Sequence, residues 1–286
     1  MERYDGRYEI LGTLGEGGMG VVHEAFDFES GRLVALKRLP ADGADAMARA
    51  FFDREFEVLS RLDVDGVPRA HARGEVAGLP YFTMDRVDAI DFGEWCGSRR
   101  PSWREAARLL ARAAEALERV HRAGVVHADV KPKNLLVDAA GEPWWIDFGI
   151  GSGVDAEPFP EELESIIGTL AYLPPERFAF APRLHDPRAD VYALGVMLYE
   201  VLVGGLPFDG DSEEVIMDRI EFAEPIPPHE ARRDEIPEAM SDVVLRALEK
   251  DPEARFQTAG ELATAIRKAL ARDQVGRRAA SRLVAA

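Results

Sequence analysis

Four polar residues in the middle of the chain have the types and spacing to move a phosphoryl group. In HADVKPKN (127–134), Asp129 is followed two positions on by Lys131 and three beyond that by Asn134. Twelve residues then intervene before DFG (147–149), which adds Asp147. Phosphoryl transfer needs a carboxylate to orient a hydroxyl nucleophile, a cation beside the transferring phosphate and oxygen ligands for magnesium. Polar residues capping turns would account for any one of these side chains. They would not account for the ordered set.

Upstream lies GEGGMGVV (15–22), with Gly15, Gly17 and Gly20 spaced to let backbone N–H groups approach phosphate oxygens. A helix after such a loop would suggest dinucleotide binding, but the VVHEAFD that follows reads as a strand, so the loop is expected to form a flap. Lys37 closes the strand-like VALK, where a buried ammonium would need a counter-charge. Residues 44–62 read as a helix on which Phe51, Glu55, Leu59 and Leu62 share one stripe. A carboxylate in that apolar stripe needs a partner, and Lys37 is the natural one; Asp53 and Glu57 fall on other faces.

These motifs together resemble the eukaryotic-type (Hanks-type) serine/threonine protein kinases, particularly the bacterial branch, from about residue 8 to 270. The resemblance implies an α+β, two-lobed fold: a small N-lobe of antiparallel sheet plus one helix, and a larger, mainly helical C-lobe. The expected division is an N-terminal extension (1–7), an N-lobe (8–87), a C-lobe (88–272, with the hinge at about 85–89) and a mobile tail (273–286). It also implies ATP with Mg2+, or Mn2+ in its place, and protein substrates with Ser/Thr acceptors. Gly15, Gly17 and Gly20 would cover the phosphates, and Lys37 would hold them while pairing with Glu55. Asp129 would take the hydroxyl proton, Lys131 would steady the γ-phosphate, and Asn134 and Asp147 would bind metal. Met84 would be the gatekeeper, with the backbones of Asp85 and Val87 on the adenine edge and Asp91 on the ribose. Leu14, Val22, Ala35 and Leu136 would sandwich the base.

By the same resemblance GTLAYLPPE (168–176) is a substrate-docking loop, with Glu176 tied to Arg255 and Asp190 bracing the catalytic loop. His121 is expected to be a helix-end residue and His127 a packing one. Lys131 and Thr169 favour the Ser/Thr class over the tyrosine class. Two departures bear on control and selection. Ala128 stands where the family usually has the arginine that receives an activation-loop phosphate. The loop itself (150–167) is rich in acids and offers only Ser152 and Ser165 as hydroxyl acceptors, so activity is expected without loop phosphorylation. Lys133 stands where many relatives carry a glutamate, so strong selection for basic residues is not expected. A catalytically weak pseudokinase scaffold and a small-molecule phosphotransferase are the rival readings, and RRAAS ending at Ser281 reads as a solvated basic tail.

The 286 residues carry a formal charge of −17, which argues against nucleic-acid or anionic-membrane partners. A single cysteine, Cys96, excludes an internal disulfide and fits a cytoplasmic place. The start, MERYDGRYEI, predicts no signal peptide, and the apolar run Val191–Phe208 is interrupted by Glu200 and Gly204-Gly205, so it reads as a buried helix. The resemblance also admits a homodimer for trans-autophosphorylation as a partner. Strands are expected in YEILGTL, VVHEAFD, RLVALKRL and PYFTMDRV. Ser102 with Glu105 should cap a helix to about residue 123, and Thr258 with Glu261 a last helix carrying Leu262, Ile266 and Leu270.

Overall fold

A computed structural model describes residues 3–17, 20–40, 46–148, 152–153, 170–178, 186–232 and 235–284. Most of the activation loop, including Ser165 and Thr169, and Gly149 of DFG lie outside the described residues.

The first strands form where alternation predicts them. β1 (Tyr8–Gly17), β2 (Gly20–Asp27), β3 (Arg32–Arg38), β4 (Ala70–Val76) and β5 (Leu79–Asp85) make one antiparallel sheet in the order β1-β2-β3-β5-β4. β4 alternates too evenly between half-buried and exposed residues to announce itself by apolar content. Register places Val22 opposite Lys37, Lys37 opposite Phe82, and Ala35 opposite Met84, so these side chains share one sheet face. Against the N-lobe packs α1 (Ala46–Arg61), whose Phe52, Val58 and Leu59 are buried. The opposite sheet face buries a smaller cluster of Tyr8, Ala25, Val34, Leu36 and Tyr81. Residues 3–7 belong to this cover: Tyr4 meets Tyr81 edge-on at 5.3 Å, and Arg7 grips Asp27 with two hydrogen bonds of 2.6 and 2.7 Å. Residues 3–7 of the expected N-terminal extension are therefore packed onto the lobe.

After β6 (Ala89–Asp91) and α2 (Phe92–Arg99), the chain becomes mainly helical. α3 (Trp103–Arg122) starts with the expected capping box: the Ser102 hydroxyl accepts from the Glu105 amide and the Glu105 carboxylate accepts from the Ser102 amide. Its Leu110, Ala113, Leu117 and Val120 are fully buried. Short pairs β7 (Val125–Val126), β8 (Leu135–Asp138), β9 (Pro143–Trp145) and β10 (Ser152–Gly153) surround the catalytic motifs.

α4 (Pro187–Val203) is the apolar run, and it is buried on almost every side because α3, α7 (Glu238–Ala247) and α8 (Ala259–Val284) surround it. It stops at Gly204, whose φ of 87° is a left-handed cap that suits glycine. α5 (Glu213–Phe222) and the single turn α6 (Pro228–Ala231) link α4 to α7. No helix among the described residues is long and apolar enough to cross a membrane. The sequence ends the last helix near residue 272, but α8 continues to Val284 without a break; Asp273, within that continuation, pairs with Arg104 of α3 at 2.6 Å. Of its expected capping box, the Thr258 hydroxyl accepts from the Glu261 amide, while the Glu261 carboxylate reaches the amide of Gln257 instead.

Arg255, with no exposed surface, makes two 2.6 Å hydrogen bonds to Glu176 and also donates to the carbonyls of Glu249, Arg188 and Lys250. This ties the turn that carries Glu176 to the base of the C-lobe. Removing the carboxylate would strand a buried guanidinium, so Glu176→Ala is expected to lose about 3–5 kcal/mol in urea unfolding. A loss within about 1 kcal/mol, the range of an exposed pair, would reject this role.

Candidate active site

The catalytic loop hangs from a buried carboxylate. Asp190, on the first turn of α4, accepts from the amides of Ala128 (2.9 Å) and His127 (2.9 Å), and its Oδ2 lies 2.8 Å from Nε2 of His121. Burial alone would raise its pKa. The hydrogen bond from His121 and that from the His127 amide outweigh the burial and hold the group below the usual carboxylate range. His121 is thus more than a helix-end residue: α3 delivers its ring to the brace. Ala128 has φ of 65°, in the left-handed region that an alanine adopts only when neighbours hold it there.

His127 is the packing residue expected. Its Nδ1 accepts from the Asp129 amide at 3.3 Å, and its Nε2 lies 3.1 Å from the carbonyl of Ile146. One neutral tautomer, with the proton on Nε2, satisfies both. The ring sits 4.5 Å from that of Phe148, which is fully buried. The aromatic of DFG is thereby held inside and Asp147 turned into the cleft.

Asp129 Oδ2 receives Lys131 Nζ at 2.7 Å and Asn134 Nδ2 at 2.8 Å. The Asn134 amide also donates to the Asp129 carbonyl at 2.9 Å, which leaves its own side-chain oxygen as the group able to meet a cation. Asn134 is carried by the 3-10 turn Pro132–Asn134. Asp147, at φ 65°, points Oδ1 to within 3.3 Å of Lys37 Nζ. The charge of Lys37 holds it below the usual carboxylate range against its burial. Among the described residues no three His, Cys, Asp or Glu side chains cluster to hold a metal by themselves. One ionised carboxylate and one amide oxygen fit a magnesium ion that takes its other ligands from phosphates and water.

Lys37 and Glu55 meet as their patterns require: both carboxylate oxygens lie within 2.7 Å of Nζ, and both residues are buried. Burial pulls the lysine down, but Glu55 and Asp147 outweigh it and raise its pKa. Burial also pushes Glu55 up to about 7, against the pull of Lys37. So one ammonium from β3 links a helix of the N-lobe to a loop of the C-lobe.

The other residues expected to meet the nucleotide lie on or beside strands β1, β2, β3, β5, β6 and β8. Gly17 faces Gly20 across β1 and β2. Gly20, at φ 131°, would place a Cβ 2.6 Å from the Arg38 carbonyl, so only glycine fits there. Gly15 is open around its Cα and pairs with Val22. Ala35 is buried opposite Met84, and Leu14 is 48% exposed. The Asp85 amide donates to the Arg69 carbonyl, so only its own carbonyl is left to meet a base. Its carboxylate turns to His71 (2.8 Å) and the Arg69 amide (3.1 Å). Asp91 sits beside Leu136 across β6 and β8 and caps α2 by accepting from the Glu94 amide at 2.8 Å. Sequence reasoning missed the ion pair between Arg86 and Glu24 (2.8 Å), which fastens the hinge to β2. A charged pair across sixty-odd residues leaves no local signature.

A family model described as "Protein kinase domain" matches residues 8–267. The chain belongs to that family. Its relatives include serine/threonine-protein kinase PknE of Mycobacterium tuberculosis, 36% identical over 268 residues, covering 93% of this chain and 46% of PknE. Serine/threonine-protein kinase PknB of the same species is 38% identical over 263 residues, covering 90% and 42%. A probable serine/threonine-protein kinase of Corynebacterium efficiens is 36% identical over 285 residues, covering 96% and 42%. The chain thus spans less than half the length of these relatives.

The Asp190 brace carries a pH signature. A carboxyl with a depressed folded pKa contributes stability that is complete above its unfolded value and fades as pH falls through the folded one. In urea titrations the gap between the unaltered protein and Asp190→Asn is therefore expected to be widest near about pH 7 and to narrow below about pH 4, the ordinary aspartate range. A gap that stays constant across that range would contradict it.

Proposed function

We propose that this chain transfers the γ-phosphate of ATP, with magnesium, to serine and threonine hydroxyls of proteins in the cytoplasm. The observation that carries the reading is the joint arrangement of Lys37, Glu55 and Asp147 about one ammonium, with Asp129 held between Lys131 and Asn134. A pseudokinase would not need that arrangement. The Glu176–Arg255 tie, which fixes a docking loop, supports a protein substrate over a small molecule.

In the reaction the substrate hydroxyl oxygen forms a bond to the γ-phosphorus as the bond to the β-phosphate oxygen breaks, releasing ADP. The hydroxyl proton passes to Asp129 Oδ, which is 13% exposed and turned to the cleft by Asn134. Lys131 offsets the charge on the transferring group, and Lys37 holds the phosphates that stay behind. Magnesium held by Asn134 and Asp147 would neutralise phosphate charge.

With labelled ATP and a generic basic protein, Asp129→Asn is expected to lower kcat about 10²–10⁴-fold while ATP still binds, as loss of a general base does. Unchanged transfer would sink the reading.

The Lys37–Glu55 pair closes with alanine, not arginine, at position 128, which supports activity without loop phosphorylation. Phosphatase treatment and Ser165→Ala are each expected to leave kcat within about tenfold of the untreated enzyme, a limit of about 1.4 kcal/mol. A larger loss in either would overturn this. Lys133, exposed beside the catalytic loop, supports weak selection for basic residues near the acceptor; a peptide array dominated by upstream arginine would contradict it.

A further inference from the structure

An ion pair joins the flap strand to the hinge across the cleft face of the N-lobe sheet. Arg86 follows directly on β5, and its Nε lies 2.8 Å from Oε1 of Glu24 on β2. The sheet order puts β3 between those two strands, so the arginine spans β3 to reach its partner. Register gives the face. Glu24 pairs with Ala35, and Ala35 with Met84, so the carboxylate stands on the side that carries Val22 and Lys37. That side is turned to the cleft, because Lys37 meets Asp147 of the C-lobe from it. Each side chain of the pair keeps 25% of its surface exposed, and Arg86 also meets Asp88 at 3.4 Å.

The strand that this pair holds is otherwise loosely fixed beside the flap. β1 slips in register against β2 between Ile10 and Gly12 and again between Thr13 and Gly15, and such irregularities disrupt a ladder locally. Gly15 has open space where a side chain would start, so nothing packs the flap there. On the outer face of β2, Arg38 donates to His23 at 3.0 Å. On the cleft face the strand is held through Glu24. A pair with part of each side chain in water contributes little to folding stability. Its consequence is geometric: it sets the angle between the flap strand and the hinge, the two elements expected to cover and edge the base.

We propose that Glu24 and Arg86 are positioning residues for the adenine nucleotide: their ion pair holds the flap down against the hinge and closes the outer side of the base slot, so that bound nucleotide leaves slowly. This deepens the kinase reading and rests on it. Both residues act through the strands that carry Leu14, Val22 and Ala35, not on the transferring phosphate. Breaking the pair frees the flap strand from the hinge and weakens ATP and ADP alike. The placement of Asp129, set by Asp190, Lys131 and Asn134 in the C-lobe, stays as it is.

The test titrates the full chain with ADP and magnesium in a calorimeter, so that no catalysis is needed. Glu24→Gln and Arg86→Gln are each expected to weaken ADP about fivefold, and the double variant to lose no more than either alone, because the two act through one contact. Arg86→Lys, which keeps the charge, should bind within about twofold of the unaltered protein. With labelled ATP and a generic basic protein, KM for ATP should rise about fivefold in the glutamine variants, while kcat and the KM for the protein stay within about twofold. ADP affinity within about twofold of the unaltered protein in both glutamine variants would overturn the proposal. So would tighter binding by Glu24→Gln beside weaker binding by Arg86→Gln, which would mark a direct charge effect on the phosphates. Losses that multiply in the double variant, or that track a lowered urea midpoint measured without nucleotide, would overturn it too. If ADP binding changes as expected but even the unaltered protein transfers no phosphate, the positioning role stands and the kinase reading falls.

Discussion

The site depends first on one buried carboxylate. Asp190 has one per cent of its surface exposed, and it satisfies itself with two backbone amides of the catalytic loop and the ring of His121. A buried anion without partners would be costly, so the loop, α3 and α4 have few ways to move apart. The left-handed backbone at Ala128 follows from this grip: both His127 and Ala128 must point their amides at the same group. Asp129, next in sequence, is thereby delivered to the cleft on a rigid backbone, and its side chain is set by Lys131 and Asn134. Asp190 and His121 place Asp129 through the backbone, whereas Lys131 and Asn134 set its side chain.

A second charge network performs the same service between lobes. Lys37 reaches Glu55 on one side and Asp147 on the other, 110 residues away in sequence. Because Lys37 and Glu55 are buried, separation would strand both charges, so α1 and the DFG loop are held together by the same ammonium that would meet phosphates. His127 couples the two networks. Its backbone amide belongs to the Asp190 brace, its ring packs on Phe148, and the position of Phe148 sets that of Asp147. Among the described residues the alignment rests on the Asp190 and Lys37 networks.

The elements around the docking loop complete the picture of a surface built outward from fixed points. Glu176 is anchored through Arg255, and α5 through Ile220 and Lys250, which leaves Val215 and Phe222 of α5 in solvent on a fixed support. Rigidity lowers the ordering cost of any contact made there.

Parts that depend on local pattern were legible in the order of the residues. Alternation predicted four of the five N-lobe strands, the Ser102–Glu105 box marked the start of α3, and Gly204 marked the end of α4. The single carboxylate in the stripe of α1 pointed to Lys37, because an apolar face tolerates a charge only when it is paired. Glycine spacing and the order Asp129, Lys131, Asn134, Asp147 named the site. Contacts between distant residues with no pattern of their own came from packing. The His121–Asp190 contact spans 69 positions, and Arg86–Glu24 and the cover of residues 3–7 on Tyr81 likewise leave no periodicity to read. β4 was illegible for a related reason: a strand with an even, half-exposed pattern is defined by its partner β5, not by its own composition. The extension of α8 to Val284 belongs here too, since Asp273 finds its partner Arg104 169 residues away. Asp129 was visible in the sequence, and so, through the family resemblance, was the bracing role of Asp190; that His121 joins this brace from α3 was decided by the fold.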